Sequence, residues 1–130
     1  MEEDYTYLII DDNSVDRMIS QTMLQKYLDS PEVHEVSNSK DGIEWIKANH
    51  SQLKTPLIIL LDMYMPGIDG FGFLELYHAL DEEFKIDTSI FMLSSAQEDD
   101  QMTIINKYSS LSGILEKPIN IDDLKAAILQ

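Results

Sequence analysis

Asp11-Asp12, Asp62, Ser94 and Lys117 are the residues whose types and positions can do chemistry, because each closes a run of apolar, strand-forming residues. In a parallel sheet the carboxyl ends of the strands share one edge, and ligands of open α/β sheets bind beyond it. Taken alone, Asp62 reads equally well as an ordinary aspartate opening a turn. The grouping gives it weight. Three carboxylates gathered at one edge repel one another by roughly 3 kcal/mol per pair at ~5 Å and an effective dielectric of ~20. Something must neutralise them. The chain has no cysteine, and none of its three histidines stands at a strand end. Hard oxygen ligands therefore favour Mg²⁺. Lys117 adds a movable positive charge and Ser94 a hydroxyl that can donate to an anionic oxygen. Together these groups make a phosphoryl-transfer site, in which a carboxylate can act as nucleophile and a cation can stabilise the charge on the group in transit.

The elements that must position them follow from the apolar pattern. Leu57-Ile58-Ile59-Leu60-Leu61 runs without alternation into Asp62, as suits a strand covered on both faces. Met65-Pro66-Gly67 then makes a turn in which Pro fixes φ and Gly permits a positive one, holding the loop below Asp62 in one shape. Upstream, Tyr5 to Ile10 reads as a β-rich strand, with Asn13 or Ser14 capping a helix marked by Val15, Met18, Ile19, Thr22 and Met23 and ending at Asp29-Ser30-Pro31. A short strand from Val33 to Ser37 leads to a second helix from Ser39, with Ile43, Trp45 and Ile46 as buried positions. Phe73, Leu76, Tyr77 and Leu80 mark a third helix. Ser89 to Leu93 is a fourth strand, Glu98 to Tyr108 a weaker helix, Gly113 to Glu116 a fifth strand, and Ile121, Leu124, Ala127 and Ile128 a last helix. Five strands alternating with five helices call for a parallel sheet with helices on both faces.

Composition narrows the classes. The chain's 130 residues suit one domain, 1–130, with no repeat or linker. Nine basic against 24 acidic residues give a net charge of −15, which opposes approach to a nucleic-acid backbone. The start, Met1-Glu2-Glu3-Asp4, is unlike a signal peptide, and no apolar run reaches membrane-spanning length. A cytoplasmic protein that binds neither membrane nor nucleic acid is expected.

On these motifs the chain resembles the response-regulator receiver domains of two-component signalling. The acidic pair Asp11-Asp12, Asp62 in Leu-Asp-Met-Tyr-Met-Pro-Gly-Ile-Asp-Gly, Ser94 and Lys117-Pro118 carry the likeness, in family order and over essentially the whole chain. The resemblance implies a doubly wound, three-layer (βα)5 fold of the flavodoxin or CheY type, with sheet order 2-1-3-4-5. It implies that Asp62 accepts a phosphoryl group from a phosphohistidine on a histidine kinase or histidine phosphotransfer protein. Asp12 and Asp62 would bind Mg²⁺ directly, Asp11 largely through water, and the backbone carbonyl of Tyr64 would complete the ligands. Lys117 would pair with the carboxylate or phosphate, Ser94 would move to the phosphate, and the Lys117-Pro118 peptide would be cis. Output would be through protein contacts, to an unidentified target or as a dimer formed on phosphorylation, using the fourth helix, fifth strand and fifth helix. Such a protein is a switch rather than an enzyme acting on other substrates.

Two departures stand out. Ile114 occupies the fifth-strand position where the family usually has a switching aromatic, and Ser replaces the commoner Thr at 94. A Mg²⁺-dependent phosphatase using an aspartyl phosphate is the alternative reading; it expects a second Asp two residues beyond the nucleophile, where this chain has Tyr64. A flavodoxin-like binding module is a third, but the first strand leads to Asp-Asp rather than a Gly-rich phosphate loop. The three histidines, 34, 50 and 78, read as surface or partly buried residues.

Overall fold

The unalternating apolar run becomes the middle strand of a five-stranded sheet, and all six of its residues are buried. In chain order the elements are β1 (Thr6–Ile10), α1 (Ser14–Tyr27), β2 (Glu32–Val36), α2 (Ser39–Asn49), β3 (Leu57–Asp62), α3 (Gly70–His78), β4 (Thr88–Ser94), α4 (Gln101–Lys107), β5 (Leu111–Glu116) and α5 (Ile121–Ile128). The computed structural model describes residues 4–95 and 101–129. The strands lie in the order β2-β1-β3-β4-β5 and every pairing is parallel. This is the doubly wound fold expected from the alternation.

Side-chain alternation along the buried strands divides the core between the two faces of the sheet. Leu8, Ile10, Ile59 and Leu61 join Ile43, Ile46, Phe73, Leu74 and Tyr77 from α2 and α3 on one face. Tyr7, Ile9, Ile58 and Leu60 join Leu24, Ile121 and Leu124 from α1 and α5 on the other. Both faces are covered, which is why β1 and β3 carry no polar alternation.

Several boundaries differ from the sequence pattern. β2 begins one residue earlier than expected and ends one earlier, β4 takes in Thr88 and Ser94, and β5 starts at Leu111. The register of β4 against β5 shifts between Ile90 and Phe91, so that Phe91 pairs with Gly113. Of the residues marking α3, Phe73 and Tyr77 are buried, Leu76 is exposed, and Leu80 lies beyond the helix end. Helix α1 departs furthest: Val15, Met18 and Ile19 face solvent, while Ser20 and Leu24 face the sheet. Ser20 and Leu24 stand one turn apart on that buried side. For the fourth helix, Glu98, Asp99 and Asp100 lie outside the described residues.

The junction of β3 and α3 is too tight for a side chain at position 70. The Gly70 amide donates to the Met63 carbonyl at 3.0 Å, and a Cβ there would stand 2.6 Å from the Asp62 carbonyl oxygen and 3.1 Å from the Met63 Cα. Backbone cannot yield as a flexible side chain does. Gly70→Ala is expected to cost about 1–3 kcal/mol of stability, measured by urea denaturation; an unchanged midpoint would refute the tight junction.

Candidate functional site

Strand ends bring the predicted residues to one edge. β1 stops at Asp11, whose side chain is fully buried and whose Oδ1 accepts from the Asn13 amide at 2.9 Å. Asn13 in turn caps α1 by accepting from the Asp16 amide, which decides between the two caps the sequence offers, Asn13 and Ser14. Arg17 donates to the Asp11 carbonyl at 2.7 Å and pairs with Glu35 at 3.2 Å, fixing the first turns of α1 to the ends of β1 and β2. Asp12, one residue on, is exposed.

β3 delivers Asp62, only 7% exposed. Beyond it Met63 and Met65 turn inward and Tyr64 outward, at 58% exposure. Gly67 takes φ +77°, the left-handed conformation that the Pro-Gly pair predicts. The loop is tied at its far end, where Ser39 Oγ donates to the Ile68 carbonyl at 2.9 Å and Asp69 caps α3 by accepting from the Gly72 amide. Leu93 is the register partner of Asp62, so Ser94, itself buried, lies next along β4. The Ser94 carbonyl accepts from the Lys117 amide at 2.8 Å, which sets the end of β5 beside that of β4. The Lys117-Pro118 peptide is cis.

Lys117 closes the cluster. Its ammonium lies 2.9 Å from Asp11 Oδ2, 3.0 Å from Asp16 Oδ2 and 3.2 Å from Asp62 Oδ1. Carboxylate oxygens of Asp11, Asp12 and Asp62 lie within 4.8 Å of one another. Burial, reinforced by the Asp11 charge, pushes the Asp62 carboxyl up to about 6, against the opposing pull of Lys117 and the Tyr64 backbone amide. For Lys117, burial works against the ammonium, yet the close carboxylates of Asp11, Asp16 and Asp62 outweigh it and raise its pKa. One cation thus serves several carboxylates, and the excess negative charge falls on Asp62.

The donor set suits a hard divalent cation. Asp11 Oδ2 is buried and accepts no hydrogen bond, its approach to Lys117 being an ion pair without hydrogen-bond geometry. A buried carboxylate oxygen with a lone pair to spare, beside one exposed and one buried carboxylate, is what an oxygen-coordinated Mg²⁺ with retained waters needs.

Asp16 is the member of this cluster that the sequence pattern gave no reason to include. Its signal was its place at the third residue of a helix starting directly after the acidic pair. The histidines stand apart from the cluster: His34 lies against Trp45 with tilted rings 5.0 Å apart and pairs with Glu32, while His50 bonds the Ile86 carbonyl. Ile114 packs partly buried against the core, and Tyr108 packs on Phe71 with ring centroids 5.5 Å apart. No helix among the described residues is long and apolar enough to cross a membrane.

A doubly wound parallel sheet with an acidic, lysine-bridged pocket beyond its carboxyl edge defines the class of the CheY-like signalling domains. The family model of the response regulator receiver domain matches residues 7–129, and the chain belongs to that family. It is 30% identical over 129 residues to the nitrate/nitrite response regulator protein NarL of Escherichia coli strain K12, covering 99% of this chain and 55% of NarL. It is 34% identical over 96 residues to the transcriptional regulatory protein CitT of Halalkalibacterium halodurans, covering 74% of this chain and 39% of CitT. The chain thus spans about half or less of these relatives' length. Among solved structures, a two component response regulator from Cytophaga hutchinsonii superposes with a TM-score of 0.87 at 19% identity, over 98% of this chain and 96% of that one. This is a receiver domain of two-component systems.

Proposed function

We propose that the domain is a phosphoacceptor switch in which Asp62 takes a phosphoryl group from a phosphohistidine on a histidine kinase or histidine phosphotransfer protein. The observation that carries this reading is the Lys117 ammonium, 3.2 Å from Asp62 and 2.9 Å from Asp11, beside an all-oxygen donor set at the end of the central strand. An Asp62 oxygen forms the bond to phosphorus as the bond from phosphorus to the histidine nitrogen breaks, and the electron pair returns to the imidazole. Asp11, Asp12 and Asp62, with the Tyr64 carbonyl, are the groups to hold Mg²⁺, which supplies positive charge for the phosphoryl oxygens. Lys117 orients Asp62 and offers its protons to the transferred group, and Ser94 supplies a hydroxyl donor.

Signalling then passes through protein contacts rather than by turnover of other substrates, and a cytoplasmic setting follows from the kinase partner. The charge of −15 keeps these residues from a nucleic-acid backbone. A dimer formed on phosphorylation is one output available to such a surface. The test is incubation with acetyl phosphate and Mg²⁺, followed by intact mass and peptide mapping. A single base-labile adduct on Asp62, absent in EDTA, supports the switch. Steady release of phosphate from small phosphoesters would point instead to the phosphatase, and an unmodified protein would defeat the proposal.

Tyr64 shapes the lifetime of that adduct. Its exposed ring stands two residues beyond the acceptor, where it can screen the phosphoryl group from attacking water. Tyr64→Asn is expected to shorten the lifetime roughly tenfold, equivalent to ~1.4 kcal/mol of barrier, followed as loss of adduct in excess Mg²⁺. An unchanged rate would remove Tyr64 from this role.

A further inference from the structure

Lys117 is shared with a carboxylate that the transfer reaction does not need. Asp16 Oδ2 accepts a hydrogen bond from the ammonium at 3.0 Å, across from Asp11 Oδ2 at 2.9 Å and Asp62 Oδ1 at 3.2 Å. An ammonium has three protons and no more. Three carboxylates already lie within 3.2 Å of the ammonium, and of them Asp16 takes a hydrogen bond while Asp11 Oδ2 is ion-paired without hydrogen-bond geometry, so a newly arrived phosphoryl oxygen must compete with them. The three are unequal. The Asp11 and Asp62 side chains are 1% and 10% exposed, whereas that of Asp16 is 38% exposed. Releasing Asp11 or Asp62 would strand a buried charge, but water can take over from Lys117 at Asp16 at small cost.

We propose that Asp16 is a positioning residue that occupies the phosphate's place on Lys117 until a phosphoryl group is attached to Asp62, and is then displaced. This rests on the phosphoacceptor reading. Asp16 is anchored for the task, since its own amide is bound by the Asn13 cap and its helix starts directly beyond Asp11-Asp12. The same geometry makes α1 a reporter of the site. Displacement turns a lysine-paired carboxylate into a solvated one on the first turn of α1, beside the exposed Val15 and one turn before the exposed Ile19. A purely structural alternative exists, in which Asp16 serves only as an acidic residue in the first turn that complements the helix dipole. The two differ in sign: removing a dipole partner does nothing for anion binding, while removing a competitor strengthens it.

The experiment uses the full chain and beryllofluoride as the phosphoryl mimic, titrated calorimetrically in saturating Mg²⁺. Asp16→Asn and Asp16→Ala are expected to bind it roughly tenfold more tightly than the wild type, the scale of one charge-assisted hydrogen bond released from competition. They should bind Mg²⁺ alone no more tightly. Asp16→Glu, which can still reach a cation, is expected to return affinity toward that of the wild type. In hydrogen exchange, the mimic should alter the first-turn amides of α1 in the wild type and leave them unaltered in Asp16→Ala. Equal or weaker mimic binding by both neutral variants would overturn the placeholder role while leaving the phosphoacceptor reading intact. A wild type that binds no mimic in excess Mg²⁺ would overturn both.

Discussion

Asp62→Asn is expected to abolish phosphoryl uptake and, in the absence of divalent cation, to stabilise the protein. The first effect follows because the amide is no nucleophile, and Asp11, the other buried carboxylate ion-paired with Lys117, lies at the end of β1 with its Oδ1 held by the Asn13 amide. Mapping after acetyl phosphate and Mg²⁺ should find no adduct at position 62. The second effect follows from the carboxyl's pKa, which rises from 3.8 to about 6 chiefly through burial. The folded state then holds more protons than the unfolded between those values, so wild-type stability falls as pH rises through that window. Above pH 6 the full penalty is present, and below 3.8 it is gone. The variant escapes it, gaining about 1–3 kcal/mol in EDTA at neutral pH and nothing at acid pH. Denaturation curves across the pH range read this directly. A variant less stable than the wild type at neutral pH in EDTA would show that the cluster is not strained by its charge. With Mg²⁺ in excess the order should reverse, because a ligand of the folded state alone favours the protein that binds it.

Lys117→Met is the complementary experiment and should act in the opposite direction. The variant keeps the apolar stem and removes the one cation shared by Asp11, Asp16 and Asp62. Two buried carboxylates are left without a counter-charge, and breaking a buried pair in this way costs about 3 kcal/mol. Without Lys117, which lowers it, the Asp62 pKa lies above 6, so Asp62 relieves part of that cost by taking a proton and the loss should shrink as pH falls toward 6. On the alkaline side, the raised Lys117 pKa makes the lysine's contribution complete below its ordinary value of 10.5, and it is lost only as pH climbs through the higher folded value. Between these limits the difference from wild type should be flat. Thermal melts from acid to mildly alkaline pH test this shape, and a difference that grows toward acid pH would contradict it.

The frame of the molecule was readable in its residues because the strong signals were one-dimensional. Leu57 to Leu61 suited a strand covered on both faces, and Asp11, Asp62, Ser94 and Lys117 announced themselves as polar residues closing apolar runs. Asn13 before a helix and Gly67 after Pro66 were equally local, each a backbone requirement with a particular side-chain answer. The failures came where the third dimension decides. Helical spacing marked Val15, Met18 and Ile19 correctly as helical, but which side of the helix meets the sheet depends on Ser20 and Leu24. Leu76 likewise kept the spacing of α3 and still faces water. Asp16 was illegible for another reason: an acidic residue in a first turn is commonplace, and its partner Lys117 lies 101 residues away.

The outward turn of the α1 apolar residues also decides how that helix is fastened. Leu24 and Ser20 embed its middle, but its first turns are joined to the body through Arg17 on Glu35 and the Asp11 carbonyl, and through Asp16 on Lys117. Dissolved salt weakens charge pairs that reach solvent and leaves oil-like contacts intact. The opening turns of this helix are therefore tethered by contacts that depend on ionic strength, while the middle strands beneath, held by buried aliphatic side chains, do not feel it.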